Sequence, residues 1–448
     1  PQPKPLQAPS DLSLPLTLRV DTLRVASLSL PDSQLQLGPL QASYRYDSGR
    51  HQLQLTQLDT PWGRLQSEVA LGDAAPFALH GSSRFQGDID GLATRGQLAY
   101  SGSLLFPQLR GDVSAKGLLL ALQGKLAPFD VTPLRRLRQL DLRVGGVNPQ
   151  ALQPHWPQAS LALALQLTPQ NADTIQGGIS VVNNQPGTLA AKRLPLSLAW
   201  GEFRIQRDTL YLPGLQALLA DGQLSLKGQA SADTLALQLG LDRLASQALD
   251  PALPAHRVSG SVALGGSLRQ PDMLVKLASG QLALDSRVAL RDAPRRLLLD
   301  DLLLRTGAGR FQGKGQFGLD SQQLGFDGRF ERFDPAVLDP RLPRGNVNGQ
   351  LQARASLGAK PQGDVSLRFA ASQLGGEALG GQLALAWQPQ RVSAVNANLT
   401  LGRNRLQAQG AYGVAGDVLK LQLAAPDLSP LGAAFAGELN AQLALARL

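Results

Sequence analysis

The sequence predicts an all-β protein, a long continuous curved sheet built from degenerate repeats of about 88 residues with a few short helical corners. Three observations predict it. Apolar residues occupy every second position in many segments, short turn signals separate those segments, and whole strand-and-turn cassettes recur along the chain. Helical periodicity is rare.

The alternation is the strongest of the three observations. An apolar residue at every second position is typical of a strand with one apolar face. Short Gly, Asp and Asn pairs such as Asp221-Gly222 and Gly375-Gly376 follow these segments and suit tight hairpin turns. The clearest alternating segments are residues 12–20, 52–55, 161–167, 234–241, 381–387, 419–423 and 438–446.

Three segments favour helical turns instead. The best candidate is VTPLRRLRQL at 131–140, where leucines recur at every third position. Residues 335–338 and 429–435 carry weaker signals. All three are predicted to be short corner elements.

Internal repeats link the strands into larger units. LDPALPAHRVSG at 249–260 matches LDPRLPRGNVNG at 338–349 with an offset of 349 − 260 = 89, and a weaker copy ends at Gly437, another 437 − 349 = 88 residues on. NPQALQPHWP at 148–157 resembles 334–343. We therefore predict one elongated β-rich segment over 1–448, a fragment of a longer protein, with about seven strands per repeat. The approximate repeat units are 176–275, 276–363 and 364–448.

One glycine-rich stretch resembles a phosphate-binding loop. RTGAGRFQGKGQFGLD at 305–320 has glycines on both sides of Lys314, but the third glycine comes one residue too late for a dinucleotide fingerprint. A P-loop would need Ser or Thr where Gly315 stands. Its counterparts at 222–228 and 404–410 share a turn residue, then Arg or Gln, then Leu, as a strand leaving a hairpin does. The stretch is therefore predicted to be a hairpin turn, with Phe311 in the register of the leucines in those counterparts.

The sequence shows no group of residues with the spacing of a catalytic or metal-binding site. Cysteine is absent, the four histidines are far apart, and the adjacent carboxylates Asp300 and Asp301 should point to opposite faces of a strand. The sequence predicts no catalytic residues, no metal site and no cofactor, hence no enzyme.

The charge does not identify a nucleic-acid partner. The chain carries 43 Lys and Arg against 34 Asp and Glu, a formal net charge of +9. The cations form small scattered clusters without the interleaved aromatics on which single-stranded nucleic acid stacks. No nucleic-acid partner is predicted, and no apolar run approaches the ~18 residues of a membrane-spanning helix.

The apolar face is mostly leucine, although Val, Ile and aromatic residues suit strands better. Codon bias is one explanation. A surface that touches fluid hydrocarbon is the other, because such a surface does not need the close complementarity of a solid core. For each residue the alternative is tight sheet-on-sheet packing. The leucines predicted to line a lipid-binding groove are Leu161, Leu163, Leu165, Leu224, Leu226, Leu235, Leu237, Leu239, Leu383, Leu385, Leu421, Leu423, Leu443 and Leu445.

Three architectures share this strand pattern: a closed transmembrane barrel, a two-sheet sandwich and an open curved sheet. A barrel should show aromatic girdles, whereas this chain has few Trp and Tyr residues and 30 prolines. A sandwich should close each repeat as a domain, yet the cassettes continue without linkers. The open sheet is favoured, and its long apolar strip requires an apolar occupant.

The cassettes resemble a known family. LDTPWGRLQSEVALGDAAPFALHGSSRFQG at 58–87, GSVALGGSLRQPDMLVKLASGQLAL at 260–284 and FDPAVLDPRLPRGNVNGQLQARASLG at 333–358 look like the long periplasmic region of the TamB family of translocation and assembly module proteins, within the AsmA-like group of bridge-like lipid-transfer proteins. The resemblance covers most of the chain and consists of the general residue pattern and of short recurring cassettes.

This resemblance implies a taco-like half-pipe sheet whose aliphatic groove carries phospholipids through the periplasm of a Gram-negative bacterium. It also implies an N-terminal anchor in the inner membrane and a C-terminal region that meets an outer-membrane barrel partner of the TamA type. Neither region is recognisable here, so the match is to the conduit. The alternative function is a β-rich scaffold that assists the assembly of outer-membrane proteins through exposed edge strands.

Overall fold

The structure, a computed structural model, describes residues 7–30, 35–432, 435 and 437–446. Its contacts divide the chain into two compact units, residues 1–219 and 220–448. The boundary lies inside the predicted repeat unit 176–275.

The first unit consists of fifteen strands. They are β1 (Leu18–Val25), β2 (Leu28–Leu30), β3 (Leu35–Leu37), β4 (Leu40–Asp47), β5 (Arg50–Thr60), β6 (Gly63–Gly72), β7 (Leu79–Ile89), β8 (Leu92–Gly102), β9 (Pro107–Ala115), β10 (Leu118–Leu126), β11 (Leu137–Val147), β12 (Leu161–Pro169), β13 (Thr174–Asn183), β14 (Leu196–Gln206) and β15 (Thr209–Leu219). A four-residue helix, α1 (Pro149–Leu152), follows β11, and a 3-10 turn, Pro133–Arg136, precedes it.

The second unit also contains fifteen strands. They are β16 (Gly222–Ala230), β17 (Leu235–Ala245), β18 (Arg257–Gly266), β19 (Pro271–Ser279), β20 (Leu282–Asp292), β21 (Arg295–Thr306), β22 (Gly309–Gly318), β23 (Gln323–Phe333), β24 (Gly345–Ser356), β25 (Gln362–Leu374), β26 (Glu377–Gln388), β27 (Arg391–Leu401), β28 (Asn404–Tyr412), β29 (Val418–Ala425) and β30 (Leu439–Ala446). The short helix α2 (Ser246–Leu249) follows β17, and 3-10 turns lie at Pro335–Val337 and Ser429–Leu431.

The predicted all-β class is confirmed. Twenty-eight strands belong to one antiparallel sheet, and β2 and β3 form a separate two-stranded sheet. Strands pair with their neighbours in the chain, except that β1 pairs with β4. In the described residues β1 and β30 each have a single partner strand, so the sheet is not closed into a barrel.

Two local predictions differ from the structure in the extent of the element. The alternation at 12–20 begins as a strand only at Leu18, because Pro15 has no N–H for a ladder; Leu12 instead donates its N–H to the Asp73 carbonyl (2.9 Å). The candidate helix at 131–140 is a single 3-10 turn that leads into β11. Its later leucines follow the period of a strand.

The repeats are visible in the structure as corner segments at regular intervals along the sheet. We call the segments 148–160, 246–256, 334–344 and 426–438, which join β11 to β12, β17 to β18, β23 to β24 and β29 to β30, corners 1 to 4. Six strands separate each corner from the next, rather than the predicted seven per repeat. The phosphate-loop stretch lies between the second and third corners as a hairpin turn with Gly307 at φ +64°, as predicted.

Equivalent bulges introduce corners 2 and 3. Arg243 (φ +51°) and Arg332 (φ +48°) are the extra residues, 332 − 243 = 89 apart. The N–H of Arg243 donates to Ser259 Oγ (2.8 Å), and that of Arg332 donates to Asn348 Oδ1 (2.8 Å). The two acceptors are also 348 − 259 = 89 apart. A bulge bends its strand at a defined point, so corners 2 and 3 begin with the same geometry.

A side-chain cap holds corners 1 and 3. Asp334 Oδ1 accepts from the backbone N–H groups two and eleven residues later (3.1 and 2.9 Å). Asn148 Oδ1, 334 − 148 = 186 residues earlier, accepts from the same relative positions (3.2 and 3.3 Å). One oxygen therefore joins the start of each corner to its end.

We expect Asp334→Ala to destabilise the second unit by about 1–2 kcal/mol, because two backbone donors lose their acceptor. Asp334→Asn keeps the oxygen and reproduces the residue found in corner 1, so it should retain most of the stability. Urea denaturation of the three proteins measures the difference. Equal stabilities of the Ala and Asn variants would contradict the role of this oxygen.

Glycine permits close approach of strands on one face. Gly260 has φ +150°, and a Cβ built on it would overlap the Lys276 carbonyl oxygen of the neighbouring strand. Its repeat equivalent Gly349 would meet the Arg368 carbonyl in the same way. Glycines at such positions are the device by which sheets bend.

Gly260→Ala should lower the free energy of unfolding by about 2 kcal/mol or more, from steric overlap and an unfavourable φ. Gly265→Ala is the matched control, since Gly265 lies in the same strand and a Cβ there meets nothing within 4 Å. Thermal unfolding followed by far-UV circular dichroism compares the two. A Gly265→Ala variant as unstable as Gly260→Ala would show that steric overlap is not the cause.

Candidate apolar site

The registers collect alternate apolar residues of neighbouring strands on one face. In the first unit, one row across the sheet runs Val144, Leu163, Val181 and Ala199, each directly opposite the next. In the second unit, a longer row runs Leu351, Leu367, Leu383, Ala397, Ala408, Leu421 and Leu443. Because opposite residues share a side of the sheet, each unit has a continuous apolar face.

All fourteen predicted groove leucines lie on this apolar face. Those of β12 belong to the first unit, and those of β16, β17, β26, β29 and β30 belong to the second. Phe311 is on the same face, opposite Leu304, in the register predicted for it.

The burial of these leucines shows how they are surrounded. Twelve of the fourteen are half-buried, while Leu443 and Leu445 in the edge strand β30 are 52% and 44% exposed. None is buried as a residue between two packed sheets would be. In the described residues these leucines are therefore shielded from solvent mainly by side chains of adjacent strands. This argues against tight sheet-on-sheet packing at these positions.

The total surface leads to the same conclusion. The accessible surface is 27,516 Å² for a mass of 47.4 kDa. Two compact globules of half that mass would together expose about 20,000 Å². The fully buried apolar residues are correspondingly few, and Phe77 is the only large side chain of the described residues that is completely enclosed.

A cluster of phenylalanines interrupts the aliphatic face in the second unit. The Phe311 ring lies 4.6 Å from that of Phe330 and 6.1 Å from that of Phe326, measured between centroids. A Cβ on Gly313 or Gly328 would collide with these rings. The rings therefore lie over the backbone at glycines, which keeps the apolar layer shallow here.

The opposite face is polar. Cross-strand ion pairs join Arg305 to Asp285 (2.6 Å) and Arg310 to Glu331 (2.5 Å). Such exposed pairs contribute little stability. Clefts form between the long side chains of this face; one of about 950 Å³ is lined by Arg64, Arg84 and Arg95 among others. The sheet is thus amphipathic, with hydrocarbon on one side and solvated charge on the other.

One prediction about the carboxylates is wrong. Asp300 and Asp301 were expected on opposite faces, but the register of β21 shifts between Leu299 and Leu302, and both carboxylates line one cleft of about 510 Å³. A bulge lets two neighbours share a side. Lys314 lines the same cleft.

Two histidines hold backbone segments. The two ring nitrogens of His51 bond the Tyr44 hydroxyl (2.7 Å) and the Leu12 carbonyl (2.9 Å). His256 Nε2 donates to the Leu338 carbonyl (2.9 Å) and so links corner 2 to corner 3. No group of three or more His, Asp or Glu side chains in the described part of the chain is arranged to hold a metal ion.

The comparisons with known proteins add no family. No protein-family model matches the chain, and the search of curated proteins returns no match either. None of the helices among the described residues has the length and hydrophobicity that crossing a membrane requires.

Proposed function

We propose that this chain is a lipid-conduit segment whose apolar face carries phospholipid acyl chains through the periplasm between the inner and outer membranes. The observation that supports it is a continuous leucine-rich face without a second layer over the predicted leucines. The resemblance of the cassettes to the TamB family supports the same assignment, with phospholipid as the ligand and an inner-membrane anchor and TamA-like partner as further expectations.

The energetics favour an acyl chain as the occupant. Each methylene moved from water onto an apolar surface gains about 0.8 kcal/mol. Leucine, whose side chain is less rigid than that of Val or Ile, suits a ligand without fixed shape. Similar rows recur across the successive strands β24 to β30, so an acyl chain displaced by one strand there meets a similar surface.

The head group belongs at the margins of the apolar face. A zwitterionic or anionic head group loses its hydration if it is placed among leucines, which is costly. The ends of the strands offer polar turns and cations, and the acyl chains lie inward from them. Passive sliding follows from this arrangement, and the direction of transport is set by other components.

A second candidate function is a scaffold for outer-membrane proteins. The observation that favours it is the edge strand β30, which pairs only with β29 in the described residues and exposes Leu439, Leu443 and Leu445. A free edge of this type accepts an added strand. Backbone hydrogen bonds at this edge would then provide the affinity, and the leucine face would be secondary.

The direct test is the content of the purified protein. We expect organic extraction of the full chain, isolated from a bacterial periplasm without detergent, to release phospholipid that mass spectrometry detects at near-stoichiometric amounts. An extract that contains no phospholipid would contradict the conduit proposal.

Position-specific photo-crosslinking tests which face holds the lipid. A benzophenone amino acid at Leu385 should crosslink to phospholipid, whereas the same group at Ala384, its neighbour on the opposite face, should not. Equal crosslinking at the two positions contradicts a ligand confined to the apolar face.

A charge on the apolar face separates the two functions. Leu237→Asp should reduce the bound lipid at least tenfold, because a carboxylate cannot be buried against acyl chains without a large cost. Gln238→Asp, its matched control, puts the same charge on the polar face and should leave lipid binding unchanged. Under the scaffold function, Leu237→Asp should spare the pairing of β30 with a client strand. A variant that has lost its lipid and still supports full client assembly therefore favours the scaffold over the conduit.

A further inference from the structure

Corner 1 differs from corners 2 and 3 in two chemically related ways. Each of the three presents one exposed apolar side chain before a proline: Trp156 in corner 1, Leu253 in corner 2 and Leu342 in corner 3, spaced 253 − 156 = 97 and 342 − 253 = 89 residues apart. Only corner 1 uses tryptophan. Its side chain is 46% exposed.

The second difference is that corner 1 lacks an acidic residue which corners 2 and 3 share. Corners 2 and 3 carry Asp250 and Asp339 at the position three residues before the exposed leucine, and corner 1 has Gln153 there. In corner 3 this aspartate pairs with Arg341 (2.6 Å). Corner 1 contains no acidic residue at all.

A cationic loop is attached to corner 1. The loop at 184–195 connects β13 to β14, and Gln158 joins it to the corner, donating its N–H to the Lys192 carbonyl (2.8 Å) and accepting from the Leu194 N–H (3.1 Å). The loop exposes Leu189, Lys192 and Arg193 and also lacks acidic residues.

The adjoining end of the polar face is itself apolar. Val182 stands opposite Leu198, which stands opposite Leu218, where other strands of this face carry Arg, Gln or Asp. Trp200 follows on the same face and is 41% exposed; Val182 is exposed as well. We call the whole surface the rim patch, defined by Trp156, Val182, Leu189, Lys192, Arg193 and Trp200.

We infer that the rim patch docks on the surface of a phospholipid bilayer that contains anionic lipid. Tryptophan has an apolar body and a polar N–H, and it prefers the boundary between hydrocarbon and water. Exposed aliphatic side chains insert beside it, while Lys192 and Arg193 meet the anionic head groups. Corner 1 and the loop at 184–195 contain no acidic residue, so the charge of these two segments is complementary to an anionic surface.

The inference does not depend on the lipid-conduit proposal. The rim patch lies at the ends and the polar side of β12 to β14, whereas the conduit uses the opposite face. If both hold, the rim patch keeps the first unit beside the membrane. Leu237→Asp should then abolish lipid loading without weakening vesicle binding, so the two proposals fail separately.

Flotation with vesicles tests the inference. The full chain should float with vesicles of phosphatidylcholine and phosphatidylglycerol at about 7:3, an anionic surface of the kind that attracts basic residues. The double change Lys192→Gln and Arg193→Gln should reduce this partition about 20- to 30-fold, from about 1 kcal/mol per cation near an anionic surface. The matched control, Lys125→Gln with Lys360→Gln, removes the same charge from exposed positions elsewhere and should reduce it by no more than about threefold.

Tryptophan fluorescence identifies the residues that enter the bilayer. In a variant that retains only Trp156, with the other three tryptophans changed to Phe, vesicles should shift the emission to the blue, and brominated acyl chains should quench it. The control retains only Trp62, which is 49% exposed at the β5–β6 turn, and should show neither effect. Circular dichroism and melting curves confirm that the variants fold.

Several results would overturn the inference. They are equal partition of the Lys192/Arg193 variant and its control, no blue shift or quenching at Trp156, and flotation that Leu237→Asp abolishes. A self-association that Trp156→Ser removes in sedimentation experiments would also overturn it, because a second copy of the chain would then occupy the patch.

Discussion

The structure depends on one constraint: strands that alternate apolar and polar residues, paired in fixed register, collect all their apolar side chains on one face. A single-residue slip would move a whole strand's leucines to the polar side. In most proteins such an apolar face is buried against a second sheet or a layer of helices. In the described part of the chain the helices are four residues long at most, and twelve of the fourteen predicted groove leucines remain half-buried.

The corners and bulges preserve the constraint where the chain has to turn. A bulge inserts an extra residue, and Arg243 and Arg332 absorb it with positive φ values, so that the alternation resumes on the same face afterwards. The cap of Asp334 then joins the two ends of its corner. Since the bulge at Arg243 recurs 89 residues later at Arg332, a repeat can be added without disturbing the register of its neighbours.

The face of the sheet on which each residue lies was predictable from the sequence, because side chains along a strand alternate between the two faces. The side of the sheet on which Leu163 or Leu421 lies follows from alternation alone, and the structure agrees. Features that depend on a single inserted residue were not predictable: Asp300 and Asp301 share a cleft because of a bulge that alternation does not reveal. The extent of the helical segment at 131–140 was not predictable for another reason: three leucines at helical spacing also fit a 3-10 turn followed by a strand. The rim patch was missed because its residues come from a corner, a loop and two strands.

The absence of a deep core among the described residues bears on stability as much as on function. A sheet of this type is held by the hydrogen bonds and side-chain contacts between adjacent strands, so its stability is close to a sum of nearest-neighbour terms, as in other repeat proteins. An ordinary domain cannot leave an apolar face open, since it draws most of its stability from burying that face. A repeat sheet with strong strand-to-strand contacts is less dependent on that burial. Its apolar face can therefore stay partly exposed, and under the proposed function a lipid bound there would add stability in proportion to the area it covers.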